Sequence, residues 1–242
     1  RKIDYLRVSV TDRCNYRCKY CMGPAGIQLK SSRHILSYEQ IASVVKEAAE
    51  LGVRKVRLTG GEPLVRKGIE HLVSMLASIS PLEELCMTTN GSRLAGSAGV
   101  LAENGLDRVN ISIDSLDPGR YAEITGGGDL DEALQGVDAA LANGLGPVKI
   151  NMVVLPATTA EEIGAMRKFC DQKGIALQRI SCFHLADDRD SENTAPFERP
   201  PYCETCNRLR LTSDGFLKPC LFSEQEVKIN FKDIRSSLLD AV

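Results

Sequence analysis

Three cysteines within eight residues constrain this chain more than anything else in it. They lie in Thr11-Asp-Arg-Cys14-Asn-Tyr-Arg-Cys18-Lys-Tyr-Cys21-Met22. A short apolar run, Leu6 to Val10, precedes them and reads as a β-strand. Three clustered thiolates make a soft metal site. A [4Fe-4S] cluster normally takes four cysteine ligands, so three local ones leave one iron for a group that is not protein. The competing reading is a structural zinc knuckle, which calls for four ligands and C-x2-C pairs.

A second set, Cys203-x2-Cys206-x13-Cys220, repeats the pattern near the C-terminus, again with no adjacent fourth thiol. Asn207-Arg208-Leu209-Arg210-Leu211-Thr212 follows its first pair at once. The expectation is two clusters, each with an open iron. Zinc completed by His184 or another residue is the other reading of the second set. Two arginines beside an open iron suit a ligand that is anionic and able to coordinate. The remaining cysteines, Cys86, Cys170 and Cys182, are scattered in apolar surroundings. Clustered thiols without a signal-peptide pattern point to metal sites in a reducing cytoplasm, not to disulfides. Thirty basic against 32 acidic residues, a formal charge of -2, argue against bulk nucleic-acid binding and leave room for a local basic pocket. No run of eighteen apolar residues is present, so no membrane span is expected.

Strand and amphipathic helix then alternate. Strands are expected at Val53–Thr59, Glu84–Thr88, Arg108–Ile113, Val148–Leu155 and Ala176–Phe183. Between them lie helical patterns such as Ile41, Val44, Val45 and Ala48 behind a Ser37/Gln40 capping box. Another capping box, Thr159 and Glu162, opens a helix that stops at Gly174. Such alternation means parallel strands with right-handed crossovers. Six units predict an α/β fold, a partial, open, TIM-like (β/α)6 barrel with a small C-terminal cluster-binding segment. Residues 1–184 would form the barrel. Residues 185–242 would form a linker and the auxiliary segment, with a hairpin around Ser213-Asp214-Gly215 and a last helix over Phe231–Leu239.

Barrels of this kind place function at the C-terminal ends of their strands. Thr59-Gly60-Gly61-Glu62-Pro63 sits there, with glycines that let backbone approach a ligand and a carboxylate able to accept from an ammonium. Thr88-Thr89-Asn90-Gly91 and Ser112-Ile113-Asp114-Ser115 also sit there, and read equally as satisfied turns. Arg7, Lys55, Arg57, Lys149 and Arg179 lie on or beside strands, where an unpaired buried charge is costly. Pairing with Asp or Glu would explain any one of them. Five on one sheet point to a cationic lumen for a polyanion such as a nucleoside triphosphate.

The C-x3-C-x2-C set with Tyr20 ahead of its third cysteine resembles the radical S-adenosylmethionine (SAM) superfamily. Leu6-Arg-Val-Ser-Val-Thr-Asp-Arg-Cys, Val56-Arg-Leu-Thr-Gly-Gly-Glu-Pro-Leu and Cys206-Asn-Arg-Leu-Arg-Leu-Thr-Ser-Asp-Gly together look like the GTP 3′,8-cyclase (MoaA) family of molybdenum cofactor biosynthesis. The resemblance runs over nearly the whole chain, and the Arg-x-Arg after the second cysteine set is its most specific part. It implies that Cys14, Cys18 and Cys21 hold the cluster that reduces SAM, and that Cys203, Cys206 and Cys220 hold the second, whose free iron meets the guanine edge. Tyr20, Gly61, Glu62 and Ser112 would bind SAM. Arg7, Lys55, Arg57, Thr88, Lys149, Arg179, Arg208 and Arg210 would bind GTP, with Arg208 and Arg210 as the catalytic pair. The implied cofactors are two [4Fe-4S] clusters and SAM. The implied partners are GTP as substrate and an external electron donor, without nucleic acid or membrane, and with a homodimer left open.

The implied reaction makes (8S)-3′,8-cyclo-7,8-dihydroguanosine 5′-triphosphate. A 5′-deoxyadenosyl radical takes the 3′ hydrogen of the ribose, and C3′ then attacks C8 of guanine. The chain departs from the family where His184 replaces a Met and Cys182 replaces a Glu. The segment 185–202 is short, and a C-terminal Gly-Gly tail is lacking. A shortened relative or a gapped chain would account for the last two. Two other classes compete: another radical SAM enzyme with an auxiliary cluster, such as a peptide modifier, and a non-enzymatic iron–sulfur or zinc protein.

Overall fold

The structure is a computed structural model that describes residues 2–21, 29–182, 206–220 and 224–242. The strands are β1 (Tyr5–Ser9), β2 (Lys55–Thr59), β3 (Glu84–Thr89), β4 (Arg108–Ser112), β5 (Lys149–Val154), β6 (Ala176–Ser181), β7 (Arg208–Leu211), β8 (Phe216–Lys218) and β9 (Val227–Lys228). They form one sheet in the order β6-β5-β4-β3-β2-β1-β7-β8-β9. β1 to β6 run parallel to their neighbours, which is what the alternation with helices predicts. The sheet does not close, because β6 and β9 are its two edges. It is therefore the open, TIM-like sheet expected.

β7 was expected only as one arm of a hairpin. It lies parallel to β1, with Tyr5 opposite Arg208 and Arg7 opposite Arg210. The antiparallel hairpin of β7 and β8 then extends the same sheet to β9. The proposed linker, Phe183 and Cys203 lie outside the described residues.

The connecting helices are α1 (Tyr38–Glu50), α2 (Ile69–Ala77), α3 (Ala98–Glu103), α4 (Pro118–Thr125), α5 (Leu130–Ala142) and α6 (Ala160–Lys173), with α7 (Ile234–Asp240) at the end. Both expected capping boxes form, at Ser37/Gln40 and Thr159/Glu162. α4 was not anticipated. Its start is nonetheless written in the sequence: the Asp117 side chain accepts from the Arg120 N–H, and Pro118 takes the first helical position.

Strand side chains alternate between faces. Leu6, Val8, Val56, Leu58, Met87, Val109, Ile111, Ile150 and Met152 are all fully buried in one apolar cluster with Ile41, Val44, Leu72, Leu76, Leu101, Val137 and Met166 from the helices. Each such side chain contributes roughly 1.5–3 kcal/mol of burial. The opposite parity carries Arg7, Ser9, Lys55, Arg57, Glu84, Cys86, Thr88, Arg108, Asn110, Ser112, Lys149 and Asn151. One face of the sheet holds the fold together, and the other is polar and charged.

Candidate active site

The first cysteine loop is stitched down on both sides. On one side the Val10 N–H donates to the Thr59 carbonyl at 2.9 Å. The N–H groups of Gly61 and Glu62 donate to Thr11 and Arg13 carbonyls, each at 2.8 Å. A Cβ on Gly61 would fall 2.2 Å from the Arg13 carbonyl oxygen, so only glycine permits this contact. On the other side the N–H groups of Arg17 and Lys19 donate to Thr125 and Ile124 carbonyls at the end of α4, at 2.8 and 3.0 Å. Tyr16 packs edge-on against Tyr121 with centroids 6.3 Å apart. The Tyr16 N–H also donates to Cys14 Sγ at 3.4 Å.

The three thiols share one electrostatic field. Burial pushes the Cys18 thiol up to about 12, with Cys21, Asp114 and Cys14 adding to the shift. Burial also raises Cys14 and Cys21. A bound cation reverses this, because it stabilises the thiolates it ligates. Among the described residues, no three His, Cys, Asp or Glu side chains converge on the position of a single metal ion. Three thiols on one loop, with no fourth thiol adjacent in sequence, fit a [4Fe-4S] cluster better than a four-ligand zinc site.

Tyr20 donates its hydroxyl to Asp114 Oδ2 at 2.8 Å, and the Val153 N–H donates to Asp114 Oδ1 at 2.7 Å. Burial lifts the Asp114 carboxyl to about 6, opposed by those two donors. The cysteine loop is thereby tied to β4 and β5. Glu62 is 1% exposed. Its Oε1 accepts from Leu64 N–H at 3.0 Å and Thr89 Oγ1 at 2.7 Å, and its Oε2 from Asn90 N–H at 2.7 Å. Burial raises its carboxyl, while these donors hold it down. Glu62 therefore ties the end of β2 to the end of β3, beside Gly61 and the cysteines. Ser112 closes β4, opposite Asn151.

Below this rim the lumen face is cationic. Arg7 stands opposite Arg57 on one side and Arg210 on the other. Burial lowers the pKa of Arg7; Tyr5 opposes this, and Arg57 and Arg208 add to it. Arg57, 4% exposed, donates from Nε to the Tyr5 hydroxyl at 2.7 Å. Its Nη1 donates to the Met87 carbonyl at 3.2 Å and to Thr88 Oγ1 at 3.3 Å. Arg208 and Lys55 stack over the Tyr5 ring, 5.7 and 5.4 Å from its centroid. Lys55 is also ion-paired with Glu84, which pairs with Arg108 as well. Pairing with an acid, the other explanation offered for these charges, thus holds for Lys55.

Arg210 is the focus of the lower end. Its Nε is buried without a hydrogen-bond partner among the described residues. Burial lowers its pKa, Arg7 and Arg208 add to that, and Cys220 and Cys206 act in the opposite sense. Both cysteines are thus close enough to sense its charge. Cys206 precedes β7 and Cys220 follows β8, so this set lies at the opposite end of the strands from Cys14, Cys18 and Cys21. Strands of five or six residues separate the two ends, roughly 20 Å. That span accommodates two small molecules end to end.

Lys149 faces the lumen opposite Asn110. Arg179 does not join this group. It is in register with Met152, a core residue, and so takes the parity of the helix-covered face on an edge strand. Cys182 follows β6 and senses Asp114, while His184 and Cys203 lie outside the described residues. Sequence reasoning missed Tyr5, Glu84, Arg108, Asn110 and Asn151. Counting alternate residues along each strand from Arg7, Thr88, Ser112 and Lys149 finds all of them.

Two family models match the chain. The Radical SAM superfamily covers residues 8–170, and Molybdenum Cofactor Synthesis C covers residues 161–237. A GTP 3′,8-cyclase of Petrotoga mobilis is 40% identical over 276 aligned positions, spanning 96% of this chain and 85% of that protein. The GTP 3′,8-cyclase of Clostridium botulinum (strain Okra / Type B1) is 38% identical over 283 positions, spanning all of this chain and 89% of that protein. Both alignments are longer than the 242 residues here, so those relatives carry internal residues with no counterpart in this chain. Among solved structures, Streptococcus suis SuiB bound to S-adenosylmethionine superposes with a TM-score of 0.74 at 15% identity, over 99% of this chain and 63% of that one. Native anSMEcpe with bound AdoMet gives a TM-score of 0.69 at 15% identity, over 98% and 82%. At such identities these two show the shared fold.

Proposed function

We propose that this chain, which belongs to the radical SAM superfamily and to the GTP 3′,8-cyclase family within it, cyclises GTP in molybdenum cofactor biosynthesis. It is an enzyme that uses SAM and an iron–sulfur cluster. The single observation that best supports GTP as substrate is the run of Arg57, Arg7 and Arg210 across three neighbouring strands, with Arg208 beside them and Cys206 and Cys220 at its end.

Cys14, Cys18 and Cys21 hold the first cluster, and Cys206 and Cys220, with Cys203, hold a second [4Fe-4S] cluster. When bound, SAM and its cluster supply the one-electron chemistry that removes the 3′ hydrogen of the substrate ribose. An external donor provides the electron. The protein's own residues bind, orient and keep out water. Gly61 and Ser112 at the strand ends, with Tyr20 fixed by Asp114, shape the SAM end. Glu62 acts there by locking the β2 and β3 ends in place.

At the other end Arg7, Arg57, Lys149, Arg208 and Arg210 neutralise the triphosphate, and Thr88 keeps Arg57 aligned. Lys55 joins them once the anion competes with Glu84. Arg210 offers a donor that has no partner among the described residues, near Cys206 and Cys220, where it would orient the nucleotide.

Anaerobic reconstitution tests this. About eight irons per chain are expected from two four-iron clusters. Incubation with SAM, a reductant and GTP deuterated at C3′ should place deuterium in 5′-deoxyadenosine. SAM cleavage with no label transfer would remove GTP as the substrate, and zinc without iron would remove the radical chemistry altogether.

A further inference from the structure

We infer that the carboxamide oxygen of Asn110 accepts a hydrogen bond from the 2′-hydroxyl of the bound nucleotide, so that the lumen selects a ribonucleotide over its 2′-deoxy counterpart. This rests on the GTP reading above. Asn110 is 7% exposed, and its Nδ2 donates to Asn151 Oδ1 at 3.2 Å. In that bond the Nδ2 end of the amide faces Asn151. The other end, Oδ1, is buried and has no hydrogen-bond partner among the described residues. A buried acceptor left unpaired is destabilising. An apolar side chain would avoid that cost, so the amide is best explained by a donor that arrives with a ligand.

The position narrows the ligand. Asn110 stands opposite Thr88 on one side and Lys149 on the other, both on the lumen face. It is two residues beyond Arg108, about 7 Å further along the strand, and two residues short of Ser112. It therefore lies level with Lys149, two residues beyond the level of Arg7, Arg57 and Arg210, and below the rim that holds the first cysteine set. A nucleotide anchored by its phosphates, with C3′ directed at the rim, passes its ribose through this level. The neighbouring acceptors are already engaged: Thr88 Oγ1 accepts from Arg57, and Asn151 Oδ1 accepts from Asn110 itself. C3′ changes its bonding during the reaction, whereas the 2′-hydroxyl keeps its place. A rigid acceptor suits the group that stays still.

SAM also carries ribose hydroxyls, and the experiment separates the two sources. In reconstituted enzyme, kcat/KM is measured with GTP and with 2′-deoxyGTP, for wild type and Asn110→Ala. Wild type should favour GTP by at least ~10-fold, and in Asn110→Ala the ratio should shrink to within ~3-fold, mainly through slower use of GTP. Asn110→Ser, which keeps a small polar group, serves if the alanine variant fails to take up iron, and should show an intermediate ratio. An unchanged ratio overturns the inference. So does weakened SAM affinity with the GTP ratio intact, which assigns the oxygen to SAM's ribose. Wild type that cyclises GTP while the ratio stays fixed in the variant sinks this inference alone. Wild type that leaves GTP untouched sinks the functional reading, and this inference with it.

Discussion

The two faces of the sheet are made from the same strands and could hardly differ more. On β1 and β2, Leu6, Val8, Val56 and Leu58 are wholly buried against helices. Their immediate neighbours Arg7, Lys55 and Arg57 face the lumen with hydrogen bonds, ion pairs and mutual repulsion. The difference shows that a period of two is enough to divide labour along a strand. Odd and even positions answer to different demands: one set fills space, the other carries charge toward a ligand.

Mutations that hit one face and spare the other test this division. The largest effect belongs to the rim. Cys18→Ala should abolish SAM cleavage and lower bound iron by about half, four of eight atoms, with the circular dichroism spectrum unchanged. Full iron content in that variant would break the assignment of the first cluster. Next comes the buried face. Leu58→Ala should cost ~2–5 kcal/mol of stability through the cavity it leaves, measured by denaturant unfolding under anaerobic conditions. Its affinity for GTP, measured below the unfolding transition, should not move.

Arg210→Ala should do the reverse, reducing kcat/KM for GTP by roughly 10–100-fold, the loss of one or two charge-assisted hydrogen bonds. Uncoupled SAM cleavage in the same samples would reveal a structural role if it fell in step. The smallest effect is at Thr88. Thr88→Val removes the hydroxyl that accepts from Arg57 Nη1 and should raise KM for GTP about 2–10-fold with kcat nearly kept. A fall in kcat with KM constant would mean that Thr88 acts on the reacting atoms instead.

Much of this was legible from residue order. Periodicity gave the six parallel strands, and both capping boxes were visible as Ser37/Gln40 and Thr159/Glu162. The cysteine spacing marked both ends of the lumen. Two things escaped for physical reasons. Where β7 would pair depends on a partner some two hundred residues earlier in the chain, and a four-residue strand carries no mark of its neighbour. Whether a lumen cation is spent or available depends on what stands beside it. Lys55 and Arg7 look alike in sequence, yet Glu84 is beside one and not the other. Arg179 shows the limit of counting charges, because its register with Met152 separates it from Lys149. α4 was overlooked although Asp117-Pro118 announces it, and with it the surface on which Arg17 and Lys19 are laid.

The pairing of β7 with β1 also has a consequence for biosynthesis. β1 emerges from the ribosome early, and β2 soon supplies one of its edges. The other edge, between Tyr5 and Val8, waits until Arg208–Leu211 has been made. Until then that edge of β1 has no strand of its own to pair with and is open to wrong partners. Cys14, Cys18 and Cys21 follow a strand that pairs with β2 nearby in the chain, whereas Arg208 and Arg210 reach their places only through a pairing with β1 some two hundred residues away.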